Sequence, residues 1–355
     1  MPAPVTADQL PAFRAARPVP PGRRLLTGVL ARPSSAALGA LLVGVLVFGF
    51  AAPGLLGVRG ISAVLDTAAT VGIGGVAVAL LLIAGQFDFS VGAVALGSSL
   101  ITALLTGYRG WGVWPALLVS LLAAVVVGLV NGLLVVGTGA PSFLTTLATF
   151  LVVTGCTLIG AERVVHGSTV AGLAGSPGWS SAAAVFGSSL HLGGGRFDVS
   201  ILWCLVGTLV ASWALWRTRF GNGVFAIGGA RRAARELGVP VGWSTVGLFC
   251  GTAAAGWLIG TLGLVRSGTL VVATDLGPEI GFLVVAVVGG CLLTGGYGSP
   301  VGAALAAVLY GVADEGIRLA GWSPLWFEVL LGVLLLAALL VNGVVRRRLK
   351  AVPRS

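Results

Sequence analysis

The segment Gly85-Gln-Phe-Asp-Phe-Ser-Val-Gly92 sets one carboxylate, Asp88, and one hydroxyl, Ser90, between two long apolar runs. A mid-membrane Asp costs about 2.5–3.5 kcal/mol on insertion scales, so it must face protein, water or a helix end. Two roles fit Asp88: an N-cap for the helix that begins near Ser90, or direct contact with a polar solute. Further along, Gly128-Leu-Val-Asn-Gly132 carries Asn131, the one amide of its run. Ala140-Pro-Ser-Phe-Leu-Thr-Thr-Leu-Ala-Thr149 adds Thr145, Thr146 and Thr149, with Thr145 and Thr149 on one helical face. Such groups either line a route for a hydroxylated solute or bond helix to helix, and both readings stay open. Asp88, Ser90, Asn131, Thr145 and Thr149 are the candidate pathway residues.

A third segment, residues 217–243, is long for a simple connection between spans and holds Arg217, Arg219, Arg231, Arg232 and Arg235. Within it Ala230–Leu237 favours helix by composition, is too short and polar to cross a membrane, and ends at Gly238, a plausible C-cap. A cytoplasmic helix between two spans is a docking element for a soluble partner.

Other chemistries find no residues. A P-loop needs a lysine after its glycines, and the one lysine, Lys350, follows no such loop. The two histidines, His166 and His191, share the 161–198 loop without a carboxylate–serine arrangement that reads as catalytic. No HExxH or paired Cys/His spacing points to a metal, and Cys156, Cys204, Cys250 and Cys291 sit apart in apolar runs as small hydrophobes. The sequence therefore predicts no enzyme, no metal and no cofactor bound by this chain.

The elements that must position these residues follow from composition. Of 355 residues 57% are hydrophobic and 9% charged, with 57 glycines besides, whereas soluble domains carry about 25% charged residues. Only a lipid solvent suits such a chain. Apolar runs at 36–51, 61–84, 90–106, 113–136, 142–160, 199–216, 244–264, 280–293, 300–320 and 325–345 predict an all-α polytopic membrane protein with about ten transmembrane helices. The runs at 36–51, 90–106 and 280–293 are short for a crossing. Residues 1–34 read as a disordered tail, 35–345 as the membrane domain and 346–355 as a basic tail.

The formal charge of +10 resides in clusters before the first run, within 217–243 and after the last run. With an even number of spans all three fall on one side, which the positive-inside rule makes the cytoplasm. A multi-pass plasma-membrane protein with both termini cytoplasmic is expected. No basic domain with interleaved aromatics is present to bind nucleic acid. Gly128/Gly132 and Gly256/Gly260 are small-xxx-small pairs, read as helix packing within one bundle.

Four segments, in order, resemble one family. Gly85–Gly92 resembles the Gly-Gly-Ile-Asp-Leu-Ser-Val-Gly signature of sugar-type permease subunits of binding-protein-dependent ABC importers, the ribose/xylose/galactose group. Phe220–Gly238 is similar to that family's Phe-Gly-Arg…Ala-Ile-Gly-Gly-Asn…Ala-Ala…Gly segment. Gly289-Gly…Thr294-Gly-Gly-Tyr-Gly-Ser-Pro-Val-Gly302 resembles its Gly-Gly…Ser-Gly-Gly-x-Gly-Ser…Gly element, and Pro141-Ser-Phe-Leu-Thr-Thr-Leu matches a fourth. Gln86, Asn222 and Ala230 depart from these patterns, where Gly, Arg and Asn are usual. Gln86, beside Asp88, bears on which solute is accepted.

The resemblance implies the ABC importer permease fold, with the likeness covering roughly 61–345. It also implies a second permease copy in a homodimer, cytoplasmic ABC ATPase subunits that use the ATP, an extracytoplasmic solute-binding protein, and lipid around the whole. The ATPase-coupling residues would be Gly228, Gly229, Ala230, Arg231, Arg232, Ala233, Ala234, Arg235, Glu236, Leu237 and Gly238. The solute would be a monosaccharide. A permease for branched-chain amino acids or nucleosides shares this layout. A self-sufficient secondary transporter would instead need ionisable residues within the membrane, for which Asp66, Asp314, Glu315 and Glu328 are the candidates.

Overall fold

The computed structural model describes residues 33–165, 169–272 and 277–351. Residues 1–32, His166 and the last four residues lie outside the described residues, so the expected N-terminal tail is not among them. In chain order the α-helices are α1 Pro33–Ala51, α2 Val58–Ile83, α3 Val91–Gly107, α4 Val113–Thr138, α5 Ser142–Val165 and the short α6 Trp179–Ala182. They continue as α7 Ser200–Arg217, α8 Arg219–Glu236, α9 Val241–Ser267, α10 Gly277–Val288, α11 Pro300–Leu319 and α12 Leu325–Ala351. Among the described residues the only strands are β1 Thr169–Val170 with β4 Leu270–Val271, and β2 Ser189–Leu192 with β3 Gly195–Asp198, both pairs antiparallel.

Each of the ten apolar runs is one helix. Eight of these are long and apolar enough to cross a membrane, while α3 and the stretch Pro278–Val288 of α10 are shorter. The chain is thus an all-α, multi-pass membrane protein. α12 carries its helical backbone through residues 346–351, which the sequence assigned to a tail. Arg, Leu, Lys and Ala are all good helix formers, and no breaker occurs before Pro353.

Burial separates centre from rim. The apolar windows of α2 and α11 are each 67% buried, against 11% for α1 and 6% for α12. Glycine lets the central helices close up. Cβ atoms at Gly128 and Gly132 of α4 would stand 2.5 Å from the Phe249 carbonyl oxygen and 2.7 Å from the Val246 Cα of α9. Gly256 of α9 packs in the same way on the Val91 carbonyl of α3, where a Cβ would stand 2.6 Å away, and Gly260 packs on the Ala95 carbonyl. Both small-xxx-small pairs therefore join helices within this one chain.

The two ends of the bundle differ. At one end, α7, α8 and α9 follow each other through short turns. Thr218 caps α8 by accepting the Gly221 amide at 3.3 Å, and Gly238, at φ +81°, closes it. The expected short helix Ala230–Leu237 is the second half of this longer α8, which breaks at Ala230 (φ −157°, ψ 82°). At the other end, β3, paired with β2, lies against α2 and reaches α9 through Asp198. Asp198 there receives Arg196 Nε at 2.8 Å and Arg266 Nη1 at 2.6 Å, and its own amide donates to Asp66 Oδ1 at 3.1 Å.

Candidate functional site

The stretch Ala84–Ser90 links α2 to α3 without helix and folds back into the bundle. It reaches Thr252, eleven residues into α9, or roughly 16 Å from the α8 end at 1.5 Å per residue. Backbone donors in this stretch would be orphaned in lipid, and side chains of α5 take them up. The Phe87 amide donates to Ser142 Oγ at 2.9 Å and the Phe89 amide to Thr146 Oγ1 at 3.0 Å.

Asp88 is buried at the centre of this break. Its Oδ1 accepts the Ser90 amide at 2.8 Å and the Ser90 hydroxyl at 2.6 Å, and its Oδ2 accepts the Thr252 hydroxyl at 2.5 Å. Ser90 Oγ, its proton committed to Asp88, accepts Asn131 Nδ2 at 2.9 Å. That fixes the amide's orientation, and Asn131 Oδ1 accepts the Thr149 hydroxyl at 2.7 Å. One chain of bonds thus crosses four elements: α9, the α2–α3 break, α4 and α5. Asp88 takes the Ser90 amide in a local turn ahead of the helix; Ser90 is itself the N-cap residue of α3, and no side chain caps that end.

Four of the five sequence-picked pathway residues, Asp88, Ser90, Asn131 and Thr149, stand in that chain. Thr145 does not. Its hydroxyl donates to Pro141 O at 3.3 Å within its own helix, and together with Thr149 it lines a groove of about 530 Å³ between α4 and α5. Thr252 and Ser142 escaped sequence reading. Lone hydroxyls in apolar helices are ordinary, and only the fold shows which ones meet a backbone break. Glu279 escaped as well, a single acid at the head of a short apolar run.

Three glycine segments distant in sequence converge at the α8 end of the break. A Cβ on Gly295 would stand 2.8 Å from the Gly85 Cα and 2.9 Å from the Gly228 Cα. Gly228 itself packs on the Ile83 carbonyl, whose oxygen accepts the Gly296 amide at 2.8 Å. Gly85, Gly295 and Gly296 have φ of +73°, +78° and +78°, a region that L side chains rarely enter. Three of the four segments singled out in the sequence touch here, backbone to backbone.

Around this joint the α8 residues divide. Gly228 and Ala234 face inward. Gly229 has open space where a side chain would go, and Arg232, Ala233, Arg235, Glu236, Leu237 and Gly238 are exposed. Arg231 and Arg235, one turn apart beyond the break at Ala230, line a cavity of about 630 Å³ shared with Gln86, Phe87, Ser142 and Phe143. Neither has an acidic partner among the described residues. Burial first, and Arg235 second, hold the Arg231 guanidinium below its ordinary range.

A bundle with a broken, hydrogen-bonded crossing and a polar helix clamped against it suits a membrane permease. The family model described as "branched-chain amino acid transport system / permease component" matches residues 60–339. The chain belongs to this family and is the membrane permease component of an ABC importer, working with ATPase and binding-protein partners.

Fructose import permease protein FrcC of Rhizobium meliloti is 29% identical over 328 residues, 89% of this chain and 86% of that protein. Galactose/methyl galactoside import permease protein MglC of Escherichia coli is 30% identical over 241 residues, 66% of this chain and 69% of its own length. Autoinducer 2 import system permease protein LsrD of Salmonella paratyphi B is 29% identical over 313 residues, covering 87% and 91%. No solved structure matches the chain.

Family membership displaces the secondary-transporter reading, and the local bonds agree with that. Asp66 accepts the Asp198 amide, Asp314 Oδ2 accepts the Thr67 hydroxyl at 3.5 Å, and Glu315 pairs with Arg318 at 2.8 Å. Asp66 and Asp314 thus join elements, while Glu315 pairs within α11.

Proposed function

We propose that the chain forms the translocation pathway for a monosaccharide, as one of two copies in a homodimer embedded in plasma-membrane lipid with both termini cytoplasmic. ATP is bound and hydrolysed by partner subunits docked on Gly228–Gly238, and this chain contributes no ATPase site. The observation that carries the reading is the joint of Gly85, Gly228 and Gly295: it ties the docking helix to the break that holds Asp88, so movement of α8 moves the membrane interior. Thr145 and Thr149 face the groove, while Asp88, Ser90 and Asn131 stand behind them as its framework.

The family's description favours a second reading, import of branched-chain amino acids. The groove offers the hydroxyls of Thr145 and Thr149 but no cation to meet an amino acid's carboxylate. That set suits a neutral polyol, and the relatives named for sugars support it.

The test is ATPase activity of the permease reconstituted with its ATPase and binding protein, measured across monosaccharides, branched-chain amino acids and nucleosides. Stimulation confined to one sugar and requiring all components is the expected result. Stimulation by leucine or a nucleoside instead would move the solute class, and failure to assemble with any ATPase would overturn the docking role of α8.

A further inference from the structure

Two carboxylates flank the first turn of α3, and they are not equivalent. Asp88 is saturated by three short hydrogen bonds from Ser90 and Thr252. Glu279, in the first turn of α10, is only 5% exposed, yet among the described residues its Oε2 has no hydrogen-bond partner. Its Oε1 rests on Gly92, in the place a Cβ would take, so any larger residue at 92 would evict it. A buried polar atom left unpaired needs a reason: the Glu279 carboxylate meets its own backbone amide, which leaves Oε2 over.

Position supplies the reason. α3 and α10 are the two apolar helices too short to cross by themselves, and Glu279 on Gly92 marks where their first turns meet inside the bundle. Interrupted helices that begin within a membrane protein build solute sites at that depth. The free oxygen of a carboxylate accepts hydroxyl protons, the groups a sugar presents all round its ring.

The geometry points to Glu279, rather than Asp88, as the carboxylate that accepts a hydrogen bond from a hydroxyl of the passing sugar. This assignment rests on the monosaccharide reading above. Gly92 is its positioning residue, kept small so that the carboxylate can lie against α3.

The test is uptake by proteoliposomes holding the full importer, with labelled D-galactose and D-fructose and then the monodeoxy analogues of whichever is carried. In the wild type one deoxy analogue is expected to move about tenfold more slowly than its parent. In Glu279→Gln, which keeps the shape and removes the charge, parent uptake falls and the penalty on that analogue shrinks below about twofold. Assembly with the ATPase and insertion stay at wild-type level. The same deoxy profile in both proteins, or Glu279→Gln carrying the parent sugar at the wild-type rate, overturns the assignment. Loss of assembly in both Glu279→Gln and Glu279→Ala makes the residue a folding element and overturns it as well. A wild type that carries neither sugar counts against the monosaccharide reading itself and is thereby told apart from failure of Glu279.

Discussion

Gly228 lies directly on the carbonyl of Ile83, and a Cβ at that position would overlap both this oxygen and the Gly296 amide bonded to it. The contact joins α8 to the end of α2 without any side chain between them. Gly228→Ala must therefore push the two backbones apart, an overpacking that typically costs about 1–3 kcal/mol. The variant is expected to insert and to bind its ATPase, while solute-stimulated ATP hydrolysis falls at least tenfold. Gly229→Ala, with open space around it, should stay near wild type. Parallel ATPase assays on the two variants check the contrast.

Asp88 and Thr252 give a second contrast. The Thr252 hydroxyl also lies 2.9 Å from the Phe249 carbonyl. In Asp88→Asn it can turn to that carbonyl and accept one of the two new amide protons, while the amide oxygen keeps both bonds from Ser90. Asp88→Ala strands the Ser90 amide and hydroxyl in the interior at about 1–3 kcal/mol for each group. Thermal melting in detergent should show Asp88→Asn close to the wild type and Asp88→Ala markedly lower.

The pathway hydroxyls separate in the same way. Thr149→Val removes the donor to Asn131 Oδ1 and is expected to cost about 1 kcal/mol, with slower solute uptake. Thr145→Val gives up only a bond within its own helix and should leave stability almost unchanged. Equal effects of both substitutions on melting would contradict the network as described.

Arg231 and Arg235 share a cavity without a carboxylate. Reversal of both to Glu should leave insertion and the bundle's melting intact and abolish uptake through failure to couple with the ATPase. Wild-type uptake by a well-expressed double variant would remove these residues from the coupling surface.

At the opposite end, Asp198 binds Arg196 and Arg266 together. Asp198→Ala leaves two guanidiniums unpaired and frees β3 from α9, so limited proteolysis within 189–198 should quicken severalfold while the membrane helices keep their protection.

Much of this was legible in the chain itself. Ten apolar runs became ten helices because lipid leaves a hydrophobic segment few alternatives, and Gly238 stopped α8 where a left-handed residue was expected. Asp88, Ser90, Asn131 and Thr149 were visible as isolated polar groups in apolar surroundings. Their mutual bonding was not visible, since it depends on which helix faces meet. The extension of α8 back to Arg219 was hidden by Gly221, Gly223, Gly228 and Gly229, which lower helix propensity; Gly221 and Gly228 are there for close approach. Glu279 stayed hidden because a lone acid at the start of an apolar helix looks like an ordinary first-turn charge.

The meeting of Gly85, Gly228 and Gly295 has one further consequence. A contact made by side chains can absorb a push through rotamer changes, so part of any stroke is lost before it reaches the next element. Backbone pressed on backbone has no rotamers to spend, and the bond from Gly296 to Ile83 closes the remaining gap. The half of α8 that precedes the break at Ala230 is thus seated without side-chain play, and a tilt that reaches Gly228 passes to the Asp88 break with no rotamer to absorb it.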